Sequence, residues 1–441
     1  MIRILLSILW TIGVIGLAGS INDFTNDNVA FAQQMSATSN IVTVIKNGDR
    51  NRQQQPFTFV GQGSVNSSGD ISFIGTNAMM SGIYLKKSPL LGDDSLREIV
   101  TTLDSTPFGG RFGNFTAPKM NDNGEIVFSS ALSMATRVGG IFLARNGQIT
   151  PIVLVDDPTP VGGNFENVLA TNLAVSINNR REVAFLATIR GASTRSGIFI
   201  AQDGQLRKLV TDGELLPQGE RIAFVADTLP VLNNHGEVLL AADRVSNEGT
   251  RRRTLFLATN NSLQPIANIG DTVSDGGTLE AIQGRGRLLN DNRVVGFLGR
   301  VNGRLAIYLA VPTTTGWELR RLVGVGDLAP DGGTFTDLNL ALGPTNCGLN
   351  NRQDLVFRAT TTQTFDGLFV SVNGALHRIV GKRDTTNLGG TVPVEAALIG
   401  AFLGTMIADN AVVVFEAAVQ GGVSSKGIFL WMPTPLPLPQ I

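Results

Sequence analysis

One octapeptide constrains this chain more than any other feature, because it recurs at nearly even spacing along the whole length. Asn121-Asp122-Asn123-Gly124-Glu125-Ile126-Val127-Phe128 returns at 66–73, 178–185, 233–240, 290–297 and 350–357. A worn seventh copy has Ala408 in place of the asparagine and ends on Phe415. From Phe73 to Phe415 the last position advances by 55, 57, 55, 57, 60 and 58 residues. Self-similarity at one such period names a repeat architecture before any single residue is weighed. Units this short cannot close a core alone and must lean on their neighbours. The 441 residues are therefore expected to form one body, not the roughly three domains that length alone suggests.

Each unit has the same parts. An apolar stretch ends just before the asparagine, where Val65, Met120, Ile177, Leu232, Leu289, Leu349 and Ile407 form one column. A polar turn follows, of the kind Asn and Asp favour because their side chains bond nearby backbone and tolerate left-handed angles. The second strand, as at 182–187, is apolar on both faces and so is expected to be buried on both. A third strand carries Tyr84, Phe142, Phe199, Phe256, Tyr308, Phe369 or Phe429. A fourth runs into an acidic turn at Asp49, Asp104, Asp157, Glu214, Asp271, Asp327 or Asp384. Four strands per unit with turn signals between them predict an all-β repeat. The 51 glycines and the few large aromatics (three Trp, two Tyr) suit many short strands and tight turns.

An open solenoid or a closed ring of blades could use such units. The seventh unit stops after its third strand, at 427–431, whereas residues 41–49 form a fourth-strand phrase with no unit in front of it. An orphan strand at one end and a missing one at the other complete a blade only if the ends meet. Such a ring leaves no raw sheet edge. The expectation is a seven-bladed β-propeller of four-stranded antiparallel blades, closed by the N-terminal strand.

In these residues the chain resembles the exported bacterial proteins named for a tandem NxxGxxAF repeat, over about residues 40–431. The resemblance implies a propeller-like exported protein and brings no established activity with it. The motif glycine is kept at Gly69, Gly124 and Gly236 but replaced by Arg181, Arg293, Gln353 and Ala411.

Residues 1–32 have the form of a signal peptide: Arg3, an apolar run over 4–18, and a small-x-small pattern at Ala30-Phe31-Ala32. The run is short of the roughly 20 residues a span needs. A secreted or periplasmic protein with no membrane span is expected, with the propeller over 33–432 and a proline-rich tail over 433–441. Removing the leader takes away Arg3, Asp23 and Asp27 and leaves basic and acidic residues equal in number. A neutral chain is not steered toward nucleic acid. Cys347 is alone and has no disulfide partner in the chain; a buried thiol and a monomer are expected.

The acidic column tempts a metal reading. A calcium loop, however, needs several oxygens at alternate positions, and only Asp271/Asp275 and Asp327/Asp331 offer a second carboxylate. A constraint met in every repeat points to folding, so these acids are read as turn caps, with no metal and no cofactor. What differs between repeats is more informative. Two loops between second and third strands are basic: 190–195, with Arg190 and Arg195, and 243–253, with Arg244, Arg251, Arg252 and Arg253. Variable loops on one rim of a rigid scaffold are where binding usually sits, and arginines there could grip the anionic groups of a glycan or protein. Alternatively they pair with the acidic column. The innermost strands are poor in charge: Lys119, Asp227, Glu280, Arg285 and Arg287 are nearly all they hold. The primary expectation is an exported, non-catalytic scaffold that binds a cell-surface or extracellular glycan or protein at its rim. The alternative is a glycan-acting hydrolase or lyase at the channel mouth, with Asp227 or Glu280 as acid or base.

Overall fold

A computed structural model describes residues 40–88, 95–168, 175–224, 228–260, 262–340, 348–392 and 406–433. The leader, the tail beyond 433, Cys347 and Asp227 lie outside the described residues, as do the side chains of Arg285 and Arg287.

Seven antiparallel sheets form, each a meander of four strands running outward from a central axis. The first blade is ordered Phe59–Val65, Ile71–Thr76, Ser81–Lys86 and Leu96–Thr101. In several blades the inner strand is split into two short pieces, both paired with the second strand. The last blade is Met406–Ile407, Val413–Ala418, Lys426–Trp431 and then Ile41–Lys46. There the first strand of the chain lies antiparallel to the last, with Ile41 opposite Trp431 and Lys46 opposite Gly427. This is the ring closure expected from the mismatched ends.

Packing closes the ring as the hydrogen bonds do. An open row of seven sheets has six junctions, whereas this core divides into seven clusters, one at every junction. The cluster joining the last blade to the first contains Val44, Ile45, Phe57, Phe73, Tyr84, Val414 and Leu430. Inside the blades, the motif phenylalanine stacks on the aromatic residue of the third strand, as in Phe128–Phe142 at 5.7 Å and Phe415–Phe429 at 5.5 Å. The two residues are direct cross-strand partners, and such aromatic pairs stabilise a sheet beyond the area they bury. In the fourth blade Leu240 faces Phe256 in the same place.

Candidate functional site

The structure gives each sequence column a distinct job. All seven acids of the fourth-strand column turn back to accept the backbone N–H three residues earlier, at 2.7–3.0 Å. Five of them also meet a base: Asp49 with Lys46, Asp157 with Arg137, Glu214 with Lys208, Asp327 with Arg321 and Asp384 with Arg378. Their oxygens cap the crossings between blades. The second carboxylates are engaged too: Asp275 faces Arg321 at 3.5 Å, and Asp331 accepts from the Thr361 and Thr364 hydroxyls.

The asparagine column closes the turn and also joins the blades. Asn178 Oδ1 accepts the Glu182 N–H at 2.9 Å, as the turn reading requires. Its Nδ2 donates to the Glu182 carboxylate at 2.7 Å and to the Asn233 carbonyl of the next blade at 3.0 Å. The same step to the next blade is made by Asn121, Asn233, Asn290 and Asn350. In the seventh unit Ala408 lacks this side chain, and Asn410 takes over by accepting the Val412 N–H at 3.1 Å.

The following residue forms a second ring. Ser67, Asp122, Asn179, Asn234 and Asp291 each donate a backbone N–H to the side-chain oxygen of the equivalent residue in the next blade, and Asn351 completes the series onto Asp409. These six links measure 2.7–2.9 Å. The second oxygens of the carboxylates are taken by neighbouring amides: Asp122 by Asn179, Asp409 by Asn351, and Asp291 by both Asn234 and Asn351. The ring rims a cavity of about 190 Å³ at one end of the channel, floored by the apolar column from Val65 to Ile407. Sequence reasoning missed this ring. Its signal was present, since the residue after the motif asparagine carries a side-chain oxygen in every repeat.

The basic loops lie at the opposite end, beside the acidic crossings. Thr136, in a loop between second and third strands, donates its N–H to the carbonyl of Phe108 in the crossing at 3.0 Å, and Val423 does the same to Leu388 at 2.9 Å. In the fourth blade Val238–Val245 and Arg251–Ala258 form a long hairpin that sets Arg244 directly opposite Arg252. Arg244 Nε reaches Glu220 at 2.6 Å, and Arg253 reaches Asp243 at 2.7 Å with Arg251 at 3.7 Å from the same carboxylate. Arg190 pairs with Asp156. These arginines therefore do find acids, but not those of the column. Arg195 and Arg252 are exposed and form no ion pair among the described residues.

The candidates for the channel fare differently. Glu280 does not face the channel: it is exposed at the rim end of Leu279–Leu289, where its carboxylate accepts the Gly303 N–H at 3.0 Å and caps the next hairpin. Lys119 is buried beneath the turn. His235 sits in the fourth blade's motif turn, and His377 packs on Trp431 at 6.1 Å.

The model of the family of unknown function DUF7453 matches residues 11–196 and again 140–434, together most of the chain. The chain belongs to that family. The two matches overlap over about one repeat, as a tandem array allows. No curated protein matches this DUF7453 sequence. Among solved structures it is similar to an oligogalacturonate lyase from Vibrio parahaemolyticus, at 12% identity and a TM-score of 0.47, over 90% of this chain and 94% of that one. It is similar as well to a protein of unknown function from Dyadobacter fermentans, at 11% identity and a TM-score of 0.34, over 89% of this chain and 100% of that one. Prolyl oligopeptidase B from Galerina marginata matches at 9% identity and a TM-score of 0.46. That match takes in 89% of this chain but 49% of the peptidase, so the chain spans about half of it. Likeness at these values carries no argument about activity, and the propeller of this DUF7453 member stands on its own sheet order.

Proposed function

We propose that the protein is an exported, non-catalytic binding scaffold whose ligand surface is the basic rim of the third and fourth blades. Its ligand would be an acidic cell-surface or extracellular glycan. The observation that carries this is the pairing of Arg244 directly against Arg252. Like charges directly opposite one another in a sheet are destabilising, so folding gives no reason for this arrangement. Glu220 answers Arg244, while Arg252 and the neighbouring blade's Arg195 stay exposed. Guanidinium groups match carboxylate and sulfate oxygens in pairs, which makes such a rim suited to an anionic polymer.

The test is retention of the mature protein on an immobilised carboxylated or sulfated polysaccharide, against a neutral polymer of the same size. Retention is expected on the charged matrix, falling with salt, and lost in Arg195→Glu/Arg252→Glu with the circular dichroism spectrum unchanged. Retention that survives the double charge reversal removes this rim from the account.

A further inference from the structure

Among the described residues, every large apolar side chain that stands exposed is at one end of the propeller, in a loop between second and third strands or in a crossing. The turns at the motif end hold none of them. Most fall on four consecutive blades. Going round through the seam, the loop of the sixth blade presents Phe365, that of the seventh Val423, that of the first Met79, and that of the second Met134 and Val138. Leu103 joins them from the crossing between the first and second blades. Each of the three crossings within this arc adds an arginine: Arg383, Arg52 and, at its far end, Arg111. All three are exposed, and their side chains have no hydrogen bond or ion pair among the described residues.

Two of these residues stand where folding asks for glycine. Met134 has φ +54°, at the loop position where Gly191 and Gly421 take +76° and +75° in other blades. The register fixes that equivalence, since Ser133, Arg190 and Gln420 each pair with the end of the neighbouring crossing. Arg383 has φ +75°, just before the capping acid, where Gly48, Gly213, Gly270 and Gly326 stand at +81° to +101°. A left-handed backbone disfavours any residue with a Cβ, and glycine escapes that cost. Met134 is 87% exposed and Arg383 is unpaired, so neither packing nor pairing offsets it. Strain of this kind is kept where it serves a function. Val423, too, is held outward by ordered backbone: its N–H is fixed to the Leu388 carbonyl at 2.9 Å while its side chain is 80% exposed.

We infer that this arc docks on an anionic lipid bilayer, its apolar tips in the acyl boundary and its three arginines among the headgroup phosphates. Single apolar tips separated by cations make no continuous apolar patch of the kind that fills the core of a protein interface. A bilayer needs none, because it takes up each tip separately and meets each cation at its surface. Its plane also reaches the loops of four blades at once. The acids of these crossings, Asp49, Asp104 and Asp384, are turned back as caps onto their own backbone, and two of them are paired with Lys46 and Arg378. The charge left facing outward on the arc is therefore positive. Arg195 and Arg252 lie on other blades, so this inference stands or falls apart from the glycan reading.

Sedimentation of the mature protein with vesicles of equal parts phosphatidylcholine and phosphatidylglycerol, against phosphatidylcholine alone, tests this. Binding is expected on the mixed vesicles and should be at least about tenfold weaker on the neutral ones. Met134→Gly/Arg383→Gly removes one tip and one cation while relieving both strained positions. Its urea midpoint should match or exceed the parent's, and its affinity for mixed vesicles should fall about tenfold. The new indole of Met134→Trp should be quenched by bromine-labelled acyl chains, and that of Gln205→Trp, on an exposed turn at the opposite end, should not. Four results overturn the inference: no binding to the mixed vesicles, equal binding to the neutral ones, equal quenching at the two positions, or a glycine variant that loses stability or keeps the parent's affinity. The first would leave a protein as what covers the arc.

Discussion

Replacing Asn178 separates two roles that five of the motif asparagines combine. Its Oδ1 accepts the N–H groups of Glu182 and Arg180 at 2.9 and 3.0 Å, which closes the turn. Its Nδ2 serves the Glu182 carboxylate at 2.7 Å and the next blade's Asn233 carbonyl at 3.0 Å. Asn178→Ala removes all four. Neutral bonds contribute about 1 kcal/mol each and a bond to a charged group about 1.5–3. Glu182 keeps Arg180 at 2.6 Å, so the sum overstates the loss. A cost of about 3 kcal/mol is expected. Asn178→Asp keeps the turn acceptor but aims a second carboxylate oxygen at Glu182 and at the Asn233 carbonyl. At the Nδ2 distance two like charges repel by roughly 6 kcal/mol at an effective dielectric constant of about 20. Proton uptake by the new carboxyl caps the penalty at about 4 kcal/mol at pH 7, since moving its pKa there from about 3.9 costs ~1.4 kcal/mol per unit. Urea unfolding followed by circular dichroism reads both variants. Asp should cost at least as much as Ala at pH 7 and recover as the pH falls toward 5. If Asp stays within about 0.5 kcal/mol of the parent while Ala is costly, only the turn matters and the link between blades is wrong.

The protein's two tyrosines are both buried, and burial pushes each hydroxyl up to about 12. Their folded pKa lies above the unfolded value of about 10, so this contribution to stability is intact below pH 10 and lost as the pH climbs toward 12. Phenolate absorbance should stay flat past pH 10 in the folded protein, and its appearance there while the far-ultraviolet spectrum is native would refute the burial. Motif glycines should differ in cost. Gly124→Ala meets open space at φ +75°, where Arg181, Arg293, Gln353 and Ala411 already stand at +62° to +67° in other units, so about 1 kcal/mol is expected in urea unfolding. Gly236→Ala would place its Cβ 2.2 Å from Arg180 Nη2 and 2.7 Å from Glu182 Oε2, and should cost more; equal costs would show that the neighbouring side chains give way freely.

Much of the fold was legible because repetition multiplies weak local signals. The strand columns, the blade count and the paired ends all follow from spacing, and the seven capping acids follow from asking why an acid recurs. The asparagines were only half legible: a turn is local, whereas the carbonyls that five of the amides reach lie 55–60 residues away. Arginine pairing at the rim was hidden for the same reason, since Asp156 and Glu220 are 34 and 24 residues from Arg190 and Arg244. Glu280 misled because it belongs to an innermost strand by sequence but occupies that strand's rim end.

The ring itself is tested most directly by bridging its seam. Asn47 Nδ2 lies 3.1 Å from Ser425 Oγ, each one residue beyond the end of Ile41–Lys46 or Lys426–Trp431, strands that are neighbours only if the two ends of the propeller join. Asn47→Cys/Ser425→Cys, made with Cys347→Ser, should oxidise within single molecules to a disulfide that peptide mass spectrometry places between 47 and 425. Persistently free thiols, or cross-linked dimers in place of the internal bridge, would contradict a closed seven-bladed ring.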